Sequence, residues 1–574
     1  MQTMPLPEEQ DSSEVGLASE VLEATKITAV AACFACALFT VLASAAVFAV
    51  YAAGMLDGSV RDMLVLAAKA VCFAGVAGVS LWAMKHCGVP ERRAVRHEVA
   101  PPCARATFLL AFLGPLFFAA LLVFPRLDAY PWPAPDETFH LTMARNIAEH
   151  GQYASGRPET GFILFDGYAS VGPSVLLPIA LAFRIFGMSL VAARVVMALY
   201  FLALCAVVFL LLHRRFGALA SSAGVLFTTG SFGSVYLARS LYGEVPALFY
   251  VLLALLLWRR MLEKPTAYLS GALAGVAFAL ALFSKLFFVI AVAPMLAVAI
   301  LDHLHLRRMT WRCLLVPAAA FAIVWGGWMT LQAVYADPEA GGAVENAGQH
   351  IHNLLFGFTS FTVTARWLLE RPVTLVVSIM AVVYMAMKAL RKPRDPALMI
   401  LALMAPFFVF WWLFFTTGRH PRYIFYACAI AGLASGPLLV AIGRFAVDRR
   451  NASAAMRMAA VLLVVLGLSP ALARTWRQAR LVYTSTEAYD DLAIADYVRE
   501  LPAETRLATT YWPLSRTLDF LADRHVEVLR DLPEDVRQFD MIIVDTQTQE
   551  EMLMDHPEVK SIGRYAVLSP TKAP

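Results

Sequence analysis

Residues 27–53 read ITAVAACFACALFTVLASAAVFAVYAA, an apolar run without one charged side chain. About 20 such residues in a helix cross the hydrocarbon core of a bilayer. Comparable runs recur near 63–84, 106–124, 171–187, 190–212, 218–238, 243–258, 267–284, 286–301, 313–334, 372–387, 397–416, 423–443 and 457–473. They leave the chain 59% hydrophobic and only 16% charged, where a soluble domain carries about 25% charged residues. A soluble enzyme, a disordered scaffold and a nucleic-acid-binding module are excluded as the main description. The expectation is a polytopic α-helical membrane protein.

Basic residues mark the cytoplasmic side of such a chain. They gather in 85–105, 213–216, 259–264, 303–312, 388–394 and 444–457. For 85–105 and 213–216 both to lie inside, one of the two apolar segments at 171–187 and 190–212 cannot span. The shorter one, with Pro173, Pro178 and Arg184, is read as an interfacial or re-entrant helix. That gives about 13 spans, with the N-terminus inside and the C-terminus outside. The first 24 residues lack a positive n-region, and the run after them is too long for a signal peptide, so it reads as an anchor. Cys33 and Cys36 form a CxxC in a deeply apolar setting, which favours packing over redox or metal chemistry.

The chain divides into four regions. Residues 1–26 are a cytoplasmic tail, and 27–105 hold two additional N-terminal spans and a basic loop. Residues 106–475 form the main membrane module, with extracytoplasmic loops 125–189 and 335–371. Residues 476–574 read as a small extracytoplasmic α/β domain, in which AYDDLAIADYVREL is helical and RLATTYW, HVEVL and DMIIVD are short buried strands.

The strongest local signal is PWPAPDETFHLTMARNIAEHGQYASG at 131–156. Pro135 opens a helix and Gly151 closes it, so Asp136 and Glu137 fall in the first turn, with His140 four residues after Asp136 on the same face. Two acids there either cap the helix or serve a site just outside the bilayer. PDETFHLTMARNIAEHG resembles the first extracytoplasmic loop of the GT-C superfamily of glycosyltransferases, in the branch of protein O-mannosyltransferases and lipid A aminoarabinose transferases. Asp136-Glu137 and the stretch Ala144 to Gly151 carry the likeness, which extends in element order over about residues 106–475.

The resemblance implies a GT-C type of fold with interfacial helices in the extracytoplasmic loops. It also implies a second acid at the next outer turn, and ARSLYGEVPALF supplies Glu244, with Arg239 nearby. Lys285 in ALFSKLFFVI matches a turn lysine that resembles a phosphate ligand, although a lone lysine at an interface also snorkels. TTGRHPRYIFY places Arg419, His420, Arg422 and Tyr423 at the outer end of a late span, where a basic cluster is unexpected and a phosphate-bearing lipid would explain it. His350 and His352 lie in an amphipathic loop and are further candidates, though two helical residues so spaced point about 200° apart. Metal use divides the family. A divalent cation, where used, would fall to Asp136, Glu137 and Glu244.

The implied reaction is inverting sugar transfer on the extracytoplasmic face from a polyprenyl-phosphate donor to an acceptor hydroxyl, with Asp136 as general base. The partners implied are that lipid-linked sugar, a glycan, glycolipid or protein acceptor, and membrane lipids. The alternative from another class is a transporter or flippase for a lipid-linked or amphipathic solute. Transporters place ionisable groups near the bilayer midplane, whereas here the distinctive charges gather at the outer interface.

Overall fold

The computed structural model describes residues 102–301, 310–337, 370–391, 394–415, 421–448, 453–529, 536–546 and 558–569. The first two expected spans, Arg419, His420, His350 and His352 lie outside the described residues, as does all but the ends of loop 335–371.

The membrane module starts with α1 (Pro102–Val123), the loop helix α2 (Pro135–His150) and a hairpin of β1 (Ala154–Arg157) and β2 (Gly161–Leu164). It continues through α3 (Pro173–Phe186), α4 (Leu190–Phe216), α5 (Ala218–Thr229), the short α6 (Ser234–Ala238), α7 (Glu244–Glu263) and α8 (Tyr268–Ser284). After a 3-10 turn at Leu286–Ala291 come α9 (Val292–Leu301), α10 (Trp311–Tyr335), α11 (Pro372–Leu390) and α12 (Pro396–Phe415). A second 3-10 turn, Pro421–Ile424, leads into α13 (Phe425–Asp448), and α14 (Ala454–Thr484) closes the module.

Six described segments are long and apolar enough to cross a membrane. Local chemistry sets their ends. The Ser189 side chain accepts from the Ala192 N–H to start α4, and His213, Arg214 and Arg215 fill its last turn, where cations suit the helix dipole. Helix α3 has 14 residues, about 21 Å at 1.5 Å per residue, which is short of a hydrocarbon core of about 30 Å.

One expected span is broken. The run 218–238 becomes α5 and α6, separated by a turn at 230–233. Gly233 takes φ +77° there, and the Ser231 and Ser234 hydroxyls both donate to the Thr228 carbonyl, at 2.8 and 2.7 Å. Serine hydroxyls that satisfy a terminal carbonyl end a helix that hydropathy alone would continue.

Helix α13 carries GLASG at 432–436, a spacing of small residues that lets helix backbones approach in lipid. A Cβ on Gly436 would lie 2.1 Å from the Gly224 nitrogen and 2.4 Å from the Ala223 carbonyl carbon, both main chain of α5. Gly436→Ala must therefore push α13 away from α5. The expected result is a loss of about 1–3 kcal/mol, read as a lower melting temperature of the solubilised protein. Gly443→Ala on the same helix, where nothing described lies within 4 Å, is the control and leaves melting unchanged.

Beyond α14, helices α15 (Tyr489–Glu500) and α16 (Trp512–Leu521) accompany a five-stranded sheet. Its strands are β3 (Leu507–Thr509), β4 (Glu527–Val528), β5 (Met541–Asp545), β6 (Glu558–Ile562) and β7 (Tyr565–Leu568), in the order β4-β3-β5-β7-β6. Strand β3 pairs parallel with β4 and β5, while β7 pairs antiparallel with β5 and β6. Alternate residues serve opposite faces: Leu507, Ile543, Tyr565 and Val567 pack with Ile494, Val498 and Leu518, whereas Ala508, Ile542, Val544 and Leu568 pack with Leu529 and Phe539.

This sheet unit docks on α2. The Thr142 hydroxyl donates to Asp519 at 3.1 Å, Arg145 donates to Asp523 at 2.8 Å, and Arg157 donates to Asp519 at 2.9 Å. Phe183 of α3 stacks on Phe520, with centroids 5.9 Å apart. The helix that carries Asp136 is thus held between the membrane module and the sheet unit.

Candidate active site

Helix α2 starts at Pro135 behind Ala134, and no side chain caps it. Asp136 and Glu137 are therefore not its caps. They have gone to separate partners.

Glu137 is fully buried against Arg194 of α4, which is also fully buried. Arg194 Nε donates to Glu137 Oε1 at 3.0 Å and its NH2 to Oε2 at 2.8 Å, while NH1 donates to the Leu127 carbonyl at 2.7 Å. Both carboxylate oxygens are thereby taken by one guanidinium fork, the geometry that makes arginine–carboxylate pairs strong.

Asp136 is 45% exposed. Both terminal nitrogens of Arg422 donate to its Oδ2 at 3.1 Å. Arg422 comes from the 3-10 turn that leads into α13, and its guanidinium lies 4.5 Å from the Tyr242 ring centroid and 5.4 Å from that of Tyr423. Burial pulls the Asp136 pKa up, but the charge and hydrogen bonds of Arg422 outweigh it and leave the carboxyl below its ordinary value.

Glu244 is the first residue of α7, placed there by Gly243 at φ +81°. A Cβ on Gly243 would lie 2.2 Å from the Ser284 carbonyl oxygen, so glycine is what lets the start of α7 abut the end of α8. Lys285 follows Ser284 directly, and its Nζ lies 3.9 Å from Glu244 Oε1, with the two side chains 3% and 0% exposed. Among the described residues, neither Glu244 oxygen has a hydrogen-bond partner. Tyr426, packed on Phe288, likewise buries its hydroxyl without one.

Two carboxylates and two cations from four distant segments thus close one polar cluster: Asp136 with Arg422, and Glu244 with Lys285. His140, buried, contacts it through Ser170, whose hydroxyl lies 3.3 Å from His140 Nε2 and 3.1 Å from Lys285 Nζ. Arg239 is placed differently. Its guanidinium donates to the backbone carbonyls of Tyr130, Val123 and Arg126 at 2.9, 3.0 and 2.7 Å, tying the end of α1 to the loop that follows.

As a metal site the acids do not fit. Asp136 and Glu137 are bound to different arginines, and among the described residues no three His, Cys, Asp or Glu side chains gather as ligands.

Sequence reasoning missed Ser170 as a contact and Arg194 as the partner of Glu137. A signal existed for the arginine. A charge at the head of an apolar helix requires a buried counter-charge, and Glu137 lay in the adjoining loop. Nothing marked Ser170.

Comparison with known proteins adds a family match over part of the chain and a shared fold. Residues 170–328, which include Ser170, Arg194, Glu244 and Lys285, match the family model described as dolichyl-phosphate-mannose-protein mannosyltransferase. The chain resembles the crystal structure of ArnT from Cupriavidus metallidurans bound to undecaprenyl phosphate, at 15% identity and a TM-score of 0.58, covering 83% of this chain and 100% of that one. The apo state of that protein aligns at 16% identity and a TM-score of 0.54, covering 81% and 97%. The archaeal oligosaccharyltransferase AglB from Archaeoglobus fulgidus, in complex with an inhibitory peptide and a dolichol-phosphate, aligns at 13% identity and a TM-score of 0.50, covering 78% and 70%. Nothing among the curated proteins matches. The chain therefore shares its fold with these structures, and residues 170–328 are similar to the mannosyltransferase family model.

Proposed function

We propose that the chain transfers a sugar from a polyprenyl-phosphate donor to an acceptor hydroxyl on the extracytoplasmic face, with inversion at the anomeric carbon. The observation that carries this reading is the paired cluster itself. Lys285 and Arg422 offer two cations for a phosphate, and Asp136, half exposed at the edge of the cluster, offers a base to an acceptor. ArnT from Cupriavidus metallidurans, with the same fold, was crystallised with undecaprenyl phosphate.

The donor phosphate draws on Lys285 and Arg422, with Tyr423 in the same turn as Arg422. The acceptor oxygen attacks the anomeric carbon, and its proton passes to Asp136. The bond from that carbon to the phosphate oxygen breaks, its electron pair stays on the phosphate, and the nearby cations stabilise that charge. The products are the glycoside and the free polyprenyl phosphate. Glu244 keeps Lys285 in the site, Glu137 holds α2 through Arg194, and Arg239 fixes the loop ahead of Asp136. No step needs a metal. The sheet unit lies on the same face as the acceptor and steadies α2.

The test is the full chain in lipid nanodiscs with a panel of undecaprenyl-phosphate sugars and a cell-envelope extract as acceptor. Release of undecaprenyl phosphate coupled to labelled glycan, glycolipid or protein supports the reading. Movement of an intact donor across proteoliposomes without cleavage overturns it in favour of transport.

A further inference from the structure

Ser170 occupies an exposed bend between β2 and α3, yet its hydroxyl touches two buried side chains. Lys285 Nζ lies 3.1 Å away and His140 Nε2 lies 3.3 Å away. The other ring nitrogen, His140 Nδ1, is 3.1 Å from the Leu241 carbonyl oxygen. A carbonyl only accepts, so Nδ1 carries the proton and Nε2 of the neutral ring accepts. Burial and the Lys285 charge push His140 down to about 3, which keeps the ring neutral.

Every direction in the relay is then fixed. The Ser170 hydroxyl has one proton and gives it to Nε2, so its lone pairs face the Lys285 ammonium. Lys285 in turn stands 3.9 Å from Glu244 Oε1, too far for a hydrogen bond, and among the described residues neither Glu244 oxygen has such a partner. An ammonium and a carboxylate buried together would otherwise close to contact, because a buried charge left without a hydrogen bond is costly.

We propose that Ser170 is a positioning residue: oriented by His140, its hydroxyl holds the Lys285 ammonium short of full contact with Glu244 and so presents it to the phosphate of the donor. The inference rests on the donor reading above and names a group that holds the phosphate-binding cation off Glu244. Without the hydroxyl the ammonium closes on Glu244, and an incoming phosphate must then displace a carboxylate.

The experiment uses the full chain in nanodiscs and undecaprenyl phosphate, without sugar, as the binding probe. Ser170→Ala is expected to weaken binding about tenfold and to raise the donor KM by a similar factor, the effect of one charge-assisted hydrogen bond. The kcat and the melting temperature stay close to those of the unaltered chain, since the residue is exposed. Ser170→Thr, which keeps the hydroxyl, restores both binding and KM. Unchanged binding and KM in Ser170→Ala, or failure of Ser170→Thr to restore them, overturns the positioning role. Lys285→Ala separates the two levels of the argument. If it weakens binding while Ser170→Ala does not, only the positioning role falls; if it too has no effect, the donor reading falls and takes the positioning role with it.

Discussion

Asp136→Asn is expected to lower the transfer rate by about 10²–10⁴, the usual contribution of a general base, while the protein remains folded. The substitution keeps the shape of the side chain but removes its charge, and with it the ability to take a proton. Its fold should survive because Asp136 is 45% exposed and its ion pair with Arg422 sits at the rim of the cluster, where such a pair contributes about 0–1 kcal/mol. The measurement is single-turnover transfer beside a melting curve. Retained turnover in a folded Asp136→Asn protein removes Asp136 from the mechanism.

The same ion pair predicts how that base responds to pH. With Arg422 donating twice to Oδ2, Asp136 lies below the ordinary aspartate value and is a feeble base. A phosphate competing for Arg422 withdraws those hydrogen bonds, so the carboxylate recovers basicity when donor is bound. The sign follows directly. The acid limb of kcat/KM, which reports the free enzyme, must lie at lower pH than the acid limb of kcat, which reports the complex. Coincident limbs would mean that donor binding leaves the Asp136–Arg422 pair closed, and the reverse order would contradict the scheme.

Much of this site was legible because charge is scarce in the chain. Asp136, Glu244, Lys285 and Arg422 each stood out against apolar neighbours, and the fold brings all four together from positions as far apart as 136 and 422. The helix from Pro135 to Gly151 was readable from its punctuation alone. Three features were not legible. Hydropathy ran straight through 218–238, because the hydroxyls of Ser231 and Ser234 end α5 by a local hydrogen bond that no average registers. Ser170 looked like any loop serine, since its importance lies in contacts across 30 and 115 residues of chain. Docking of the sheet unit on α2 depends on Asp523 meeting Arg145, and charges of that kind carry no mark of their partners.

Glu137→Ala is expected to cost about 3–5 kcal/mol of stability, the penalty for leaving one charge of a buried pair without its partner. Its neighbour Asp136 tolerates replacement, and sequence alone cannot tell the two acids apart. What separates them is the side of the helix each occupies. Glu137 and Arg194 are both 0% exposed, and the guanidinium spends its remaining NH1 on the Leu127 carbonyl. Removing the carboxylate strands Arg194 in an apolar wall between α2 and α4, so loss of folded protein should precede any question of rate. Arg194→Met should fail in the same way by stranding Glu137. The paired substitution Glu137→Leu with Arg194→Met removes both charges, and replacing a buried pair by apolar residues of similar volume is often neutral. The double variant should therefore recover a sharp melting transition, and with it transfer activity, because Asp136 and Arg422 are untouched. A Glu137→Leu/Arg194→Met protein that melts normally but transfers no sugar would instead make Glu137 a participant in the chemistry.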